Sequence, residues 1–356
     1  MANQVLYGFH NLKDLMTQRV STIDTTVINT AIADTLAEHN RQMDALLSLF
    51  VKRTTMAQAR FVSPAVRRLQ PLDEAGRARP TKRAGYYDVG FPIFMAGDAW
   101  GADFVTRQKM TVQEVNDNLS ASLSADFRWM RDHILAALFD NVGWTFGDPL
   151  LGNLAVKGLA NADTVQYLLQ SGGDSGATSQ HYLAQAAAIA DATNPYPTIY
   201  SLLNGHPENG GNVIALIPTA LKATTEALAV FAESDSDPDI TLGSGSSRLT
   251  GTLSESVPGA VIGKTNNVWI VEWPSLPATH IVAVSTDGEP PLAMREDEEP
   301  ELRGYKAVAE RNDYPWWEAQ YMRRAGFGAW NRVGAVVQRI GDAAYAIPTG
   351  YASPMA

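Results

Sequence analysis

Hydrophobic positions along the chain mark out two long amphipathic stripes and a set of short apolar runs. In Thr111–Phe139, Val115, Leu119, Leu123, Phe127, Met130, Ile134 and Leu138 recur at steps of three or four, the spacing of one helix face. No proline or glycine interrupts the stretch. Thr111 followed by Glu114 is the capping-box pattern, in which each side chain satisfies a free backbone donor of the other. At 1.5 Å per residue the predicted helix runs roughly 40 Å, long enough to serve as a beam for other elements. A second stripe, Ile28, Ile32, Leu36, His39, Met43, Leu46 and Phe50, predicts a helix over about 21–50.

Beyond the beam the pattern changes. Two short helical stretches are expected on either side of SGGDSG, the second starting near Thr178 with Tyr182, Ala186 and Ile189 on one face and ending at Pro195 and Pro197. The run GNVIALIP reads as a buried strand feeding a helix over Thr219–Glu233, ordinary α/β construction. Strand signals follow at Val268–Glu272 and His280–Ser285. Near the end, Val333, Ala335 and Val337 share a face before a turn at Gly341–Asp342.

Composition narrows the classes. With 356 residues and 45% hydrophobic content the chain is expected to form about two domains. A net charge of -10 argues against a surface wholly committed to nucleic acid or an anionic membrane. Cysteine is absent, which excludes disulfides, thiolate chemistry and cysteine-ligated metal. No run of 18 apolar residues occurs, and MANQVLYGFHNLKDLM lacks the pattern of a signal peptide. A soluble protein made without export is expected.

Charge is unevenly distributed. Residues 52–109 hold eleven basic residues against five acids, and they include four prolines. Between these, YYDVGFPIFMAGDAWGADF reads as strand pieces with glycine turns. An extended hairpin is expected, which reads either as a long surface loop or, since so long a loop is unusual inside a compact domain, as a segment lying across a neighbouring copy. Thr286–Gly304 carries seven acids against Arg295 and Arg303 and reads either as a surface loop or as the acceptor of that basic segment.

Candidate chemistry is sparse. The six histidines form no HExxH pattern and read as helix-face or loop residues rather than ligands. GDSG around Ser175 resembles a serine-protease nucleophile but lacks the setting of one. Gly259–Thr265 misses the P-loop spacing by one residue, and a strand rather than a helix follows it. Asp126 and Asp132 are assigned to the solvated flanks of the long helix. Nucleic-acid contact by the basic segment is weighed against contact between subunits, which fits a strongly acidic remainder at least as well. No catalytic, cofactor or metal site is assigned.

The order of features resembles the major capsid proteins of tailed double-stranded DNA phages, the HK97-like fold. The resemblance implies an α+β chain with a peripheral domain, an axial domain, an extended E-loop and a long spine helix. It places the arm and first helix at 1–55, the E-loop at 56–108 and the peripheral domain with the spine helix at 109–150. A mainly axial region follows at 151–310, then returning peripheral strands and a tail at 311–356. It implies a non-enzymatic head protein forming pentamers and hexamers of an icosahedral shell around double-stranded DNA. Expected partners are a separate scaffolding protein, a portal protein and a decoration protein, with assembly in the host cytoplasm and no membrane. Candidate inter-subunit residues are Arg67, Arg68, Arg77, Arg79, Lys82 and Arg83 as donors. Phe91, Phe94 and Trp100 are candidate anchors, and Glu296, Asp297, Glu298 and Glu299 candidate acceptors. Lys82 and Asn331 are formal candidates for the lysine–asparagine crosslink of some members, with nothing to assign it. Rival readings are a nanocompartment of the same fold and a soluble hydrolase.

Overall fold

The computed structural model describes residues 9, 12, 15–62, 71–77, 85–171, 177–210, 212–233, 259–313 and 316–355. Helix α1 (Thr25–Leu47) starts at Asp24, whose side chain accepts from the Thr26 backbone N–H. Strands β1 (Val51–Thr54), β2 (Gln58–Val62), β3 (Tyr86–Gly90) and β4 (Phe94–Asp103) follow, then a short helix α2 (Phe104–Lys109). The beam is α3 (Val112–Phe139), about 42 Å long at 1.5 Å per residue. Both halves of its capping box form: Thr111 Oγ1 accepts from Glu114 N at 3.3 Å, and Glu114 Oε2 accepts from Thr111 N at 2.8 Å.

After α3 come the hairpin β5 (Trp144–Asp148) and β6 (Gly152–Val156), then β7 (Tyr182–Gln185), α4 (Tyr196–Asn204), β8 (Val213–Ile217), α5 (Thr219–Glu226) and β9 (Ala232–Glu233). The chain closes with β10 (Ala260–Thr265), β11 (Val268–Glu272), β12 (His280–Ser285), β13 (Leu292–Arg295), β14 (Lys306–Asp313), β15 (Trp316–Ala329) and β16 (Ala335–Ile340).

Two sheets share α3. In the five-stranded sheet, β15 is the common strand: 316–325 pair with β4, 316–322 with β14 and 326–329 with β13, which in turn pairs with β1. The seven-stranded sheet runs β7-β16-β12-β8-β11-β10-β9. The first half of α3 packs Val115, Leu119 and Leu123 with Ile28 and Leu36 of α1 and Tyr321 of β15. Its second half packs Met130, Ile134 and Leu138 against Leu216, Val271, Val282 and Val337 of the seven-stranded sheet. The opposite face of that sheet meets α4 through Ala215, Ile217, Ala283 and Val336. A strand covered on both faces needs apolar residues throughout, which is why Val213–Ile217 does not alternate.

Several expectations are revised. The helix expected from Thr178 is absent. Residues 182–185 form β7, and Pro195 and Pro197 begin α4 rather than end a helix. Proline lacks the N–H that a first turn leaves unused, so it fits there. Helix α5 stops at Glu226, short of Glu233. The acidic stretch 286–304 contains the sheet strand β13. Of the returning strands, β15 lies in the five-stranded sheet and β16 in the seven-stranded one.

Asp126 is also misplaced by the helical pattern, because it is buried. Arg323 Nη2 donates to its Oδ2 at 2.7 Å, Arg323 Nε donates to Oδ1, and His39 Nε2 lies 2.8 Å from Oδ2. Asn40 Oδ1 accepts from Arg323 Nη2 at 3.1 Å and from Tyr305 N at 2.8 Å. The cluster therefore ties α1, α3, β15 and the lead into β14 together. Burial alone raises the Asp126 pKa, but the Arg323 charge, with hydrogen bonds from His39 and Arg323, outweighs it and holds the carboxyl below its ordinary value.

Asp126→Asn leaves Arg323 buried without a counter-charge and is expected to cost about 3–5 kcal/mol, read by urea unfolding. Because the folded pKa is lowered, the wild-type advantage is complete above about pH 4, the unfolded value, and is lost as pH falls through the folded one. An unchanged unfolding midpoint at neutral pH contradicts this role.

Candidate inter-subunit interface

The basic segment is organised by the antiparallel pair β2–β3, in register from Gln58↔Gly90 to Val62↔Tyr86. Arg60 forks onto Asp88 across the pair, with Nε–Oδ1 2.7 Å and Nη2–Oδ2 2.9 Å, and its guanidinium lies 4.3 Å from the Tyr86 ring centroid. Those hydrogen bonds hold the Asp88 pKa below its ordinary value. One acid of the segment is thus spent on one arginine beside it.

The base of this pair is fastened to the body. Phe61 stacks on Tyr87 at 5.4 Å and meets Trp330 edge-on at 5.5 Å. Lys52 lies 4.4 Å from the Trp330 ring and pairs with Glu289 at 2.9 Å. Gly90 allows β3 to approach β6, since a Cβ there would lie 2.6 Å from Leu154 Cβ. Trp330 is an organising residue that the sequence reading passed over; its signal was a lone aromatic in the GAWNR turn.

The predicted interface residues fall into three groups. Arg67, Arg68, Arg79, Lys82 and Arg83 lie outside the described residues. Arg77 is exposed in a turn where Asp73 Oδ1 accepts from its backbone N–H at 2.7 Å. Glu298 and Glu299 are exposed as well. The remainder are engaged within their own subunit. Phe91 is fully buried, stacked on Trp330 at 5.9 Å, and offers no surface to a neighbour. Phe94 packs among His133, Trp144 and Phe146. Trp100 is half-buried, edge-on to Trp317 at 4.8 Å. Glu296 is buried against Arg53 at 3.2 Å, and Asp297 pairs with Arg324. The structure therefore brings no predicted donor onto a predicted acceptor within one chain, among the described residues.

Other candidate chemistry resolves into structural contacts. His181 and His206 lie buried with their Nε2 atoms 3.4 Å apart, their Nδ1 atoms at Ala335 O and Leu168 O. His280 Nε2 reaches Ala346 O at 3.2 Å, and His133 Nδ1 reaches Trp129 O at 2.8 Å. Among the described residues no group of three or more His, Cys, Asp or Glu is placed to hold a metal. Lys264 and Thr265 end β10, and Asn266–Asn267, both at positive φ, turn the chain into β11. No helix N-terminus is there to hold phosphate. His10 and Ser175 lie outside the described residues. Asn331 is buried, donating to Asn209 Oδ1 at 3.2 Å. No helix is long and apolar enough to cross a membrane, among the described residues.

No protein-family model matches the sequence, and no curated protein matches it. Among solved structures, the chain is similar to one titled "Mycobacterium phage Patience", with a TM-score of 0.69 and 20% identity over 99% of both chains. The fold is the HK97-like capsid fold. Looser likenesses are to the mature capsid of bacteriophage PhiM1 (TM-score 0.49, 10% identity, 82% of this chain and 84% of that one) and to the capsid of a native GTA particle (0.47, 10%, 84% and 90%).

Gly90→Ala is expected to destabilise the chain by about 1–3 kcal/mol through overpacking. It is also expected to speed hydrogen exchange at the paired Ala59 and Val89 amides. Unchanged exchange and stability contradict the close approach of β3 to β6.

Proposed function

We propose that the protein is the structural head protein of a tailed double-stranded DNA phage. Its copies assemble into the pentamers and hexamers of an icosahedral shell enclosing the genome, and its role is structural rather than catalytic. The observation that carries the reading is the likeness over 99% of both chains to the structure from Mycobacterium phage Patience. The distribution of charge supports it. A chain of net charge -10 keeps Arg67, Arg68, Arg77, Arg79, Lys82 and Arg83 between two strands whose base is fixed to the body. Glu298 and Glu299 are exposed acids suited to receive such a segment from another copy.

The contact is heterologous, one surface of a copy meeting a different surface of the next, which generates closed rings where the rotation between copies closes. The net acidity keeps packaged DNA loosely held and read without sequence specificity. A separate scaffolding protein guides closure, a portal protein occupies one vertex, and a decoration protein covers the outer face. The head is assembled in the host cytoplasm.

Light scattering of the purified chain with its scaffolding partner is expected to show megadalton particles. A chain that stays at one to four subunits under every assembly condition contradicts the reading. The variant Arg77→Glu, Arg79→Glu, Lys82→Glu, Arg83→Glu is expected to fold with unchanged circular dichroism and to give no particles. An unchanged particle yield removes the role assigned to these residues.

A further inference from the structure

Between α1 and the β14–β15 hairpin lies a groove of about 660 Å³, within the roughly 300–1,000 Å³ of small-molecule sites. Its body is apolar, with Ile28, Leu36, Val115 and Tyr321 among the lining. Apolar walls accept any apolar group, so the few polar atoms must select the occupant. Phe9 and Leu12 belong to the same apolar cluster, but neither lines the groove.

The polar atoms of the groove are mainly donors, and its charge is positive. Three lining residues are charged: Arg107 and Lys306 against Glu310, a surplus of one positive charge on a chain of net charge -10. The Glu310 carboxylate is already engaged, accepting from Trp317 Nε1 at 2.7 Å and lying 3.8 Å from Arg107. Lys306 pairs with no carboxylate among the described residues. Its ammonium donates to Pro300 O and Glu301 O at 3.0 and 2.9 Å. An ammonium has three N–H donors, so one donor and the whole charge are left over. On two further lining residues, the Trp100 indole N–H and the Tyr305 hydroxyl are buried with no hydrogen-bond partner. Buried donors of this kind cost free energy until an acceptor reaches them.

Apolar walls with a surplus positive charge and spare donors fit an apolar chain that ends in an anionic acceptor. The apolar or extended segments of this protein lack that head group. Residues 1–8 hold no acid and 63–84 are net positive. The exposed Leu150 stands beside Asp148, whose charge Arg295 already neutralises.

We propose that the groove binds a small amphipathic anion, an alkyl carboxylate, with its hydrocarbon chain between α1 and the hairpin and its head group at Lys306. The proposal does not rest on the shell reading, because one subunit forms the whole site. Burial of the chain supplies most of the affinity, and the lysine supplies the preference for a carboxylate.

Decanoate, below its micellar concentration, is titrated into unassembled subunits by calorimetry, with decanol and decyltrimethylammonium as the uncharged and cationic counterparts. Decanoate is expected to bind roughly tenfold or more tighter than either. Lys306→Gln is expected to remove that preference and to leave decanol binding unchanged, whereas Lys264→Gln, outside the groove, changes neither. Ala33→Trp and Ala37→Trp, at exposed positions of the groove wall, are each expected to fold and to abolish binding of all three probes. No decanoate binding, equal binding of decanoate and decanol, or a Lys306→Gln chain that keeps the preference overturns the proposal. Decanoate binding that survives both tryptophan variants lies elsewhere and overturns it too. None of these results touches the shell reading. A chain that binds decanoate as expected yet never forms particles overturns the shell and leaves the site standing.

Discussion

The buried pair Asp126–Arg323 is the constraint on which the rest of the subunit depends. It joins the middle of α3 to the one strand that pairs with β4, β13 and β14. Through His39 and Asn40 it also fixes α1. Replacing such a pair with well-packed apolar residues is often neutral for stability, whereas removing one partner is costly. The pair therefore contributes geometry more than net stability: it sets where helix and sheet cross. Apolar packing on either side, with Leu119 and Leu123 toward α1 and Ile134 and Leu138 toward the seven-stranded sheet, then makes the two sheets one body.

In the proposed shell a rigid body matters, because assembly multiplies small contacts. Each contact gains only if the subunit does not have to reorganise to make it. Two exposed features stand on fixed bases at the margins of that body. The basic hairpin leaves from a base clamped by Trp330 and Gly90, and the Leu150–Leu151 tip stands on Asp148 and Arg295. Neither feature finds its complement within the chain among the described residues. In the proposed shell such features meet a different surface of the next copy, and head-to-tail contacts of that kind give rings where the rotation between copies closes.

Features set by neighbours in sequence were legible from the residues alone. The Thr111–Glu114 box and strands β11 and β12 are local, and they form where the pattern puts them. Features set by distant partners were not. Asp126 looks like a solvated flank until Arg323, 197 positions away, is brought against it. Glu296 and Asp297 look like free acids until Arg53 and Arg324 reach them, and Phe91 looks like an anchor until Trp330 covers it. The β14–β15 hairpin escaped notice because charge falls on both of its faces, Glu310 on one and Arg311 with Glu318 on the other, which blurs the apolar alternation. The basic segment was legible as a charge anomaly, but charge alone does not name its receiving surface.

The most direct test of the account is a cryo-electron microscopy map of assembled particles, sharp enough to trace β2, β3 and the basic residues between them. The account predicts a shell in which this hairpin lies over a neighbouring subunit, with Arg77 near that neighbour's acids. A map in which the hairpin folds back along its own α3, or purified chains that yield no shell to image, would contradict it.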